Sequence, residues 1–318
     1  MPAFPPHRPA AGSAYTRAHA LGNDYLVVEE GERWTMSVEA VRRVCHRWEG
    51  VGSDGVIIVL GSPAAPEAPG PDPSLFRARM FNPDGSEFER SGNGLRILAA
   101  HLLGAGRVGW GEPFRVEVGG DRVTMEVHGR VPDGALDVSV DMGRARTGPG
   151  AVACDPSALE SDPAGDAHGL LRLDAVQEAL PLHLVSVGNP HAVHFAGESL
   201  FHREGLARVG PGVATHPAFA RGTNVQLARM AGRGRAVDVL IWERGVGHTT
   251  GSGTSACAVA VAAVASGRLE PGPVELRMEG GTLHVTVTAE LDVTLRGPVH
   301  PVCEGHLAEA FLEALRRG

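Results

Sequence analysis

Two segments of the chain are predicted to be buried helices because they are apolar almost all round. One, NGLRILAAHLLGAG, begins at Asn93, and the other, TSACAVAVAAVASG, begins at Thr254. Each ends at a glycine, as helices commonly do. A helix without a polar face must be enclosed by other elements, so each is expected inside a shell of strands. A third segment, HLAEAFLEALRRG, is amphipathic and is expected to be a terminal surface helix.

Short strand-like runs fill most of the remaining sequence, and many of them alternate apolar with polar residues, as strands with one face in water do. Gly, Pro, Asp and Asn turns separate them. Two longer loops are expected, one at GSPAAPEAPGPDPS after Leu60 and one from about Thr147 to His168. The chain is therefore expected to have an α+β fold. The strand-like runs are YLVVEE, GVIIVL, FRVEVGG, VTMEVH, LDVSVDMG, HLVSVG, AVHFAG, AVDVLIWER, VELRM and LHVTVTAELDVTLRG.

The composition excludes several classes of protein. A chain of 318 residues is long enough for two domains. Only 5% of the residues are aromatic and the net charge is −8, so a nucleic-acid partner is not expected. No apolar run reaches the ~18 to 20 residues that span a bilayer. The first residues, MPAFPPHRPAAGSAY, lack the apolar segment of a secretory signal and suggest a flexible leader, so the expected location is the cytoplasm. The four cysteines are sparse and indicate neither a disulfide framework nor a zinc site.

Each of the two predicted buried helices follows a glycine-containing turn with a small polar residue. The turns are SGNG at Ser91 and SGTS at Ser252, about half the chain apart, so the chain looks like two related halves. Helix N-termini bind anions through free backbone N–H groups and the helix dipole. Two facing helix starts would hold a carboxylate and keep its α-carbon between them. The alternative is structural, because most glycine-rich helix starts only cap a helix.

Six ordered motifs carry a resemblance to a known family. They are HALGNDY from His19, GVGSDGVI from Gly50, FNPDGSEFERSGNGLR from Phe81, GNPH from Gly188, GTNV from Gly222 and ERGVGHTTGSGTSACA from Glu243. Together they resemble diaminopimelate epimerase, a family within the wider group that includes proline racemase. The resemblance implies two pseudo-symmetric domains, each a curled, mostly antiparallel sheet around a central helix. On this basis residues 1–141 with 297–318 form one domain and 142–296 the other.

The resemblance also implies how the family works. The site lies in the cleft between the domains, and neither pyridoxal phosphate nor a metal is used. Two thiols, one from each domain, flank the substrate α-carbon, where one removes a proton and the other delivers one to the opposite face. The enzymes are usually homodimers. The substrate is a small-molecule amino acid, and neither a nucleic acid nor a membrane is expected as a partner.

Carried over by position, the two thiols correspond to Ser91 and Ser252, and His191 stands where the family has a histidine beside the site. The expected substrate-binding residues provide helix N–H groups, amides, one carboxylate and one guanidinium, which suit an amino acid with a polar far end. Each of these side chains, taken alone, would more often be structural. The set comprises Asn23, Asn82, Gly92, Asn93, Asn189, Asn224, Glu243, Arg244, Gly253 and Thr254.

Three departures from the family pattern matter for the chemistry. Serines stand at both thiol positions, His248 replaces an acidic residue, and Ser255 replaces a glycine. A thiol has a pKa of about 8.5, whereas the pKa of an alkyl hydroxyl is far higher and lies near that of water. The difference corresponds to roughly 10 kcal/mol of lost basicity. A serine can act as a base only with help from a neighbour, and His248, four residues before Ser252, is one candidate.

Three hypotheses follow. The first is a cofactor-independent amino-acid epimerase or racemase, with LL- and meso-diaminopimelate as leading substrates because both ends of that molecule are polar. It would be either a Cys-to-Ser version of an active enzyme or a variant in which a histidine assists a serine. The second is a catalytically silent homologue that binds an amino acid without exchanging its α-proton. The third is a hydroxyproline dehydratase or other isomerase on the same scaffold.

Overall fold

The protein is described by a computed structural model that covers residues 8–61, 74–88, 90–173, 179–232 and 234–317. The chain divides into two compact units. The first unit comprises Met1–Asp141 and Gly297–Gly318, and the second comprises Met142–Arg296. The fold is mixed α+β and dominated by strands. The loop expected after Leu60 falls mainly on residues 62–73, which lie outside the described residues.

The secondary-structure elements follow one another in an order that almost repeats. Up to Arg144 they are β1 (Ala10–Ala20), β2 (Asn23–Glu30), β3 (Trp34–Thr35), α1 (Val38–Cys45), β4 (Val56–Leu60), β5 (Leu75–Phe81), β6 (Glu87–Phe88), α2 (Gly92–Gly104), β7 (Phe114–Val118), β8 (Asp121–Arg130) and β9 (Leu136–Arg144). From there they are β10 (Arg146–Thr147), β11 (Leu170–Leu171), β12 (Leu180–Pro181), β13 (His183–Ser186), β14 (Pro190–Phe195), α3 (Arg203–Ala214), β15 (Asn224–Met230), β16 (Ala236–Glu243), β17 (Gly247–Thr249), α4 (Gly253–Ala265), β18 (Gly272–Met278), β19 (Gly281–Val287), β20 (Asp292–His306) and α5 (Glu309–Arg317).

Strand pairing gives both units the same topology. In the first unit β2 pairs in parallel with β4 across α1, β4 is antiparallel to β5, β5 is parallel to β7, and β7 is antiparallel to β8. In the second unit the same sequence of pairings joins β14 to β15 across α3, then β16, β18 and β19. The prediction of two related halves is thus confirmed by the topology. The last long strand, β20, pairs with β19 before residue 297 and with β1 after it.

Each unit encloses one apolar helix. In α2 the side chains of Leu95, Ile97 and Leu98 are fully buried, and this helix packs against β1, β2 and β8. Helix α4 is buried along nearly its whole length and contacts β13–β16, β18 and β19. Both helices end as expected, because Gly106 and Gly267 follow them with φ of 67° and 71°, a conformation that glycine adopts without steric cost. The predicted buried helices are therefore confirmed.

Other expectations need correction or extension. Residues 10–15, expected to be part of a flexible leader, belong to β1, which pairs with both β2 and β20. The loop expected from Thr147 contains two short 3-10 turns, Pro149–Val152 and Pro156–Ala158. The terminal helix α5 is amphipathic, as predicted, and buries Leu312 and Leu315. All four cysteines are free thiols, and no helix within the described ranges is long and apolar enough to cross a membrane.

Candidate active site

Ser91 is the N-cap of α2 in the first unit. Its backbone is extended, and its Oγ accepts a hydrogen bond from the N–H of Gly94 at 3.1 Å. This bond satisfies one of the N–H groups that a helix start leaves without an acceptor. The N–H groups of Gly92 and Asn93 precede it in the first turn and remain available to an anion. The sequence SGNG thus forms the helix start that was predicted, with the serine oxygen engaged in capping.

A row of polar side chains supports this helix start from within the first unit. Asn93 Nδ2 donates to Asn23 Oδ1 at 3.3 Å, and Asn23 Nδ2 donates to Asp54 Oδ2 at 3.0 Å. On the other side, Arg96 Nη2 donates to Asn93 Oδ1 at 2.9 Å, and Arg96 is completely buried. The structure therefore brings Asn23 and Asn93 together, although they are far apart in sequence. Asn82 lies in the turn after β5, where its Nδ2 donates to Ser86 Oγ at 3.0 Å.

Ser252 is the N-cap of α4 in the second unit, and its surroundings differ. Its backbone is also extended, but its side chain makes no capping hydrogen bond. The N–H groups of the first turn of α4, beginning with Gly253, are consequently available to a ligand. The Ser252 Oγ lies 3.5 Å from Thr254 Oγ1 and donates a hydrogen bond to the carboxylate of Glu243. Ser252 is buried, with only 6% of its surface exposed.

A buried chain of hydrogen bonds lies behind the start of α4. Gln226 Nε2 donates to His191 Nδ1 at 3.1 Å and to Ser255 Oγ at 3.0 Å. His191 Nε2 therefore carries the ring proton and donates to Asn189 Oδ1 at 2.8 Å. Asn189 Nδ2 in turn points to Thr254 Oγ1 at 3.5 Å. All donors in this chain point the same way, from the core toward the helix start.

His191 is neutral in this setting. Its side chain is completely buried, and burial lowers the pKa of His191 to about 3, although the hydrogen bond from Gln226 acts in the opposite direction. Arg244 lowers the pKa slightly further. Its ring contacts amide groups of Asn189 and Gln226, and both ring nitrogens are in use. The geometry is that of a residue that orients Asn189.

Three predicted residues meet at the end of β16. Asn224 Oδ1 accepts from the backbone N–H of Arg244 at 2.9 Å, and Asn224 Nδ2 donates to the carbonyl of Pro190 at 3.1 Å. The Arg244 guanidinium donates to the carbonyl of Arg221. Burial raises the pKa of Glu243, while the hydrogen bond from Ser252 lowers it in part. Asn224 thus fixes the backbone at the point where the carboxylate and the guanidinium leave the strand.

The hypothesis that His248 assists Ser252 is contradicted by the contacts of His248 in this structure. His248 Nε2 is paired with Glu279, which also accepts from Arg203. The group hydrogen-bonded to Ser252 is Glu243. The reason is that β17 forms a hairpin with β16, in which His248 lies opposite Trp242 and Glu243 opposite Gly247. Closeness in sequence to Ser252 therefore does not bring His248 to the hydroxyl.

Sequence reasoning missed the residues that hold the predicted ones in place. Gln226 is completely buried and joins His191 to Ser255, while Asp54 and Arg96 hold the amides of Asn23 and Asn93. One signal was present, because a glutamine inside the apolar strand NVQLA must find buried partners. Their identity depends on contacts that are distant in sequence. Within the described ranges no group of three or more His, Cys, Asp or Glu side chains could hold a metal ion.

Comparisons with known proteins agree with the resemblance that the sequence motifs indicate. The sequence model of the family "Diaminopimelate epimerase" matches residues 15–148 and 183–301. A diaminopimelate epimerase from Desulforudis audaxviator is 36% identical over 300 residues, which cover 93% of this chain and 99% of the relative. One from Desulfitobacterium hafniense is 34% identical, with 93% and 98% covered. The matched length spans both units.

Solved structures of lower sequence identity show the same fold. A predicted epimerase from Pseudomonas aeruginosa superimposes with a TM-score of 0.62 at 20% identity, covering 93% of this chain and 99% of that one. A hydroxyproline epimerase from Agrobacterium vitis, solved with bound trans-4-hydroxy-L-proline, gives a TM-score of 0.60 at 14% identity, covering 96% and 98%. At these identities the likeness concerns the scaffold alone.

Proposed function

The chain belongs to the diaminopimelate epimerase family, and from this premise we propose that it is a cofactor-independent epimerase acting on LL- and meso-diaminopimelate. The family consists of isomerases, and the relatives at about 35% identity carry this name. The proposal assigns one acid/base group to each unit, Ser91 in the first and Ser252 in the second. The two compact units correspond, on this proposal, to the two domains of the family.

The observation that carries the proposal is the pair of serine-capped buried helices. Each unit begins its enclosed helix with an extended serine followed by a glycine, and each leaves first-turn N–H groups available. Such N–H groups bind carboxylates, and they stabilise the negative charge that grows on an α-carboxylate when the α-proton leaves. An amino acid without another activating group needs this stabilisation.

The polar side chains support a substrate with charged groups at both ends. Glu243 has no arginine, lysine or histidine partner among the described residues, so its carboxylate can accept a substrate ammonium group. Arg244 and the amides of Asn23, Asn189 and Asn224 add donors and acceptors. His191 is proposed to position Asn189. From the family resemblance alone we further propose a homodimer in the cytoplasm.

The test of this proposal measures the exchange of the substrate α-proton with solvent. The protein is incubated in D₂O with LL- and meso-diaminopimelate, and loss of the α-proton signal is followed by NMR beside a protein-free control. Exchange with inversion at one stereocentre supports an epimerase. Saturable ligand shifts without exchange in either isomer would instead identify a binding protein. A parallel incubation with hydroxyprolines tests the third hypothesis, because elimination of water there would favour the dehydratase on this scaffold.

A further inference from the structure

We propose that Gln226 and Ser255 are positioning residues for a carboxylate of the substrate. They fix which ring nitrogen of His191 carries the proton and thereby turn the amide of Asn189, so that its N–H bonds face the start of α4. This inference deepens the proposed function and rests on it, since the carboxylate belongs to the proposed amino-acid substrate. Neither Gln226 nor Ser255 is among the substrate-binding residues that the family resemblance implies.

Gln226 links the sheet of the second unit to the helix that this sheet encloses. It lies on β15, between β14 and β16, and its Nε2 donates to the Oγ of Ser255 at 3.0 Å. Ser255 belongs to the first turn of α4, and both residues are completely buried. The family pattern has a glycine at position 255, which offers no side-chain acceptor, so the contact depends on the serine of this chain.

The amide nitrogen of Gln226 determines the tautomer of His191. An amide nitrogen only donates hydrogen bonds, so His191 Nδ1, which lies 3.1 Å from Gln226 Nε2, is the unprotonated ring nitrogen. The single proton of the neutral ring is therefore on Nε2, where Asn189 Oδ1 accepts it at 2.8 Å. The two contacts agree on the same tautomer, although they involve opposite sides of the ring.

Ser255 holds the Gln226 amide in the orientation that this tautomer needs. One N–H bond of Nε2 goes to the imidazole and the other to Ser255 Oγ, whereas the buried Oε1 has no hydrogen-bond partner among the described residues. The amide is therefore held through its nitrogen. Two bonds from one nitrogen fix the amide plane, but a single bond would let the plane turn about the bond to the ring. Without the Ser255 oxygen, one buried N–H bond would lack its acceptor, which destabilises this orientation.

Asn189 transmits the direction of the His191 proton to the start of α4. Because its Oδ1 accepts from His191, its Nδ2 is turned the other way and lies 3.5 Å from Thr254 Oγ1 in the first turn of the helix. With the ring proton on Nδ1, Asn189 would have to donate to Nε2, and its oxygen would face the helix start instead. N–H groups attract a carboxylate and an amide oxygen repels it, so the tautomer affects the affinity for the anion.

A purely structural role for the two residues gives a different prediction. If Gln226 and Ser255 only fill the core, replacing them lowers stability but does not move the ring proton of His191. If they position Asn189, the tautomer changes and substrate binding weakens. The exchange rate of the bound substrate then changes little, because the groups proposed to move the α-proton are untouched. The tautomer and the division of the effect between affinity and rate therefore separate the two roles.

The first measurement is the tautomer of His191 without ligand, read from the NMR chemical shifts of its ring nitrogens in isotope-labelled protein. We expect Nε2–H alone in the unchanged chain and in Ser255→Thr, which keeps an acceptor oxygen. Gln226→Met should populate both tautomers, since Asn189 can accept from Nε2 or donate to it, and Ser255→Ala should lie between. The matched control is Ser266→Ala, which removes a buried-helix hydroxyl at the other end of α4 and should leave the tautomer unchanged.

The second measurement is binding of diaminopimelate, followed by saturable NMR shifts, and α-proton exchange in D₂O at saturation. We expect Gln226→Met to raise the Kd by about 10-fold or more, the usual effect of losing a hydrogen bond to a charged group. Ser255→Ala should raise it by about 3-fold, and Ser255→Thr should restore the original value. In all of these proteins exchange at saturation should stay within about 3-fold of the unchanged chain, and thermal unfolding shows that each variant is folded.

A single Nε2–H tautomer that persists in folded Gln226→Met would overturn the inference, because the tautomer would then be set elsewhere. Mixed tautomers with an unchanged Kd would also overturn it, since Asn189 would not contribute to binding the carboxylate. Failure of the unchanged protein to bind diaminopimelate would instead overturn the proposed function. The tautomer comparison needs no ligand, so it would still decide whether Gln226 and Ser255 fix the proton of His191.

Discussion

The starts of α2 and α4 have nearly the same sequence and the same backbone, yet they use their serines differently. Ser91 and Ser252 both have extended φ and ψ and both precede a glycine. Ser91 Oγ accepts the N–H of Gly94, whereas Ser252 Oγ leaves the helix uncapped and donates to Glu243. Equal positions in a repeated topology therefore do not imply equal chemistry.

The difference lies in what surrounds each hydroxyl. Behind α2 the polar groups satisfy one another, since Asn93 is held between Asn23 and Arg96. Behind α4 the donors lead toward the serine and end at a carboxylate that has no cation partner among the described residues. No described carboxylate is hydrogen-bonded to Ser91, and Glu89, two residues before it, lies outside the described residues. The comparison therefore predicts that Ser252 is the stronger and Ser91 the weaker of the two proposed acid/base groups.

The largest expected effect is on α-proton exchange. Ser252→Ala should lower the exchange rate at saturating diaminopimelate by roughly 100-fold or more, because it removes the group proposed to accept the proton. Ser91→Ala should lower exchange by less than about 10-fold, since the oxygen of Ser91 is engaged with Gly94. In the unchanged protein, exchange should therefore be faster than inversion. NMR in D₂O gives the exchange rate and chiral chromatography the inversion.

The same experiment contains its control. His248→Ala, which alters a side chain paired with Glu279, should leave both rates unchanged. Equal losses for Ser91→Ala and Ser252→Ala would show that the two helix starts contribute alike and would contradict the comparison. Inversion as fast as exchange would do the same, because it requires an effective proton donor on each side of the α-carbon.

A second expected difference between the units is their response to acid. In the second unit burial lowers the pKa of His183 to about 4 and that of His191 to about 3, and burial also lowers the pKa values of His168 and His194. In the first unit only His19 shows a lowered histidine pKa among the described residues. Acid should therefore destabilise the second unit before the first.

The direction of this effect of acid on stability follows from proton linkage. A histidine whose pKa is lowered by folding binds its proton more readily in the unfolded chain, so its contribution is complete above pH 6.5 and is lost as the pH falls toward the folded value. For His183 the window runs from 6.5 to about 4 and corresponds to about 3 kcal/mol at pH 4. Hydrogen exchange at pH 7.0, 5.5 and 4.5 measures this unit by unit. His183→Phe, beside Phe195, should flatten the dependence.

The sequence predicted the two enclosed helices because their signals are local. An apolar run preceded by serine and followed by glycine is sufficient for both α2 and α4. Strand β1 was missed because its residues are mostly small, and its partner β20 lies at the other end of the chain. Helix α3 was missed because it contains Pro211 and several glycines. Its buried Leu206, Val209 and Val213 pack into the core of the second unit, and this packing is not visible in the sequence.

The same distinction between local signals and distant contacts applies to the candidate site. The identities of Ser91, Ser252 and the amide residues came from motifs, since the motifs preserve position along the chain. The partner of Ser252 could not be identified from the motifs. His248 is closer to it in sequence than Glu243 is, but His248 lies on β17, where it pairs with Glu279. Hydrogen-bond partners depend on the register of a hairpin, and one residue of register exchanges the face on which a side chain lies.

The smallest expected effect is on stability and runs opposite to the effect on exchange. Ser91→Ala removes a helix cap, since Ser91 Oγ accepts from Gly94 N, and should lower the free energy of unfolding by about 1 kcal/mol. Ser252→Ala removes no cap, and the half-buried carboxylate of Glu243 can accept from water in place of the lost hydroxyl, so the loss should be smaller than that for Ser91→Ala. Urea denaturation of both variants at pH 7 measures the difference, with Ser91→Asn as a variant that keeps a capping oxygen and should retain the stability. A larger loss of unfolding free energy for Ser252→Ala than for Ser91→Ala would mean that the Ser252 hydroxyl serves to stabilise the fold rather than to accept the substrate proton.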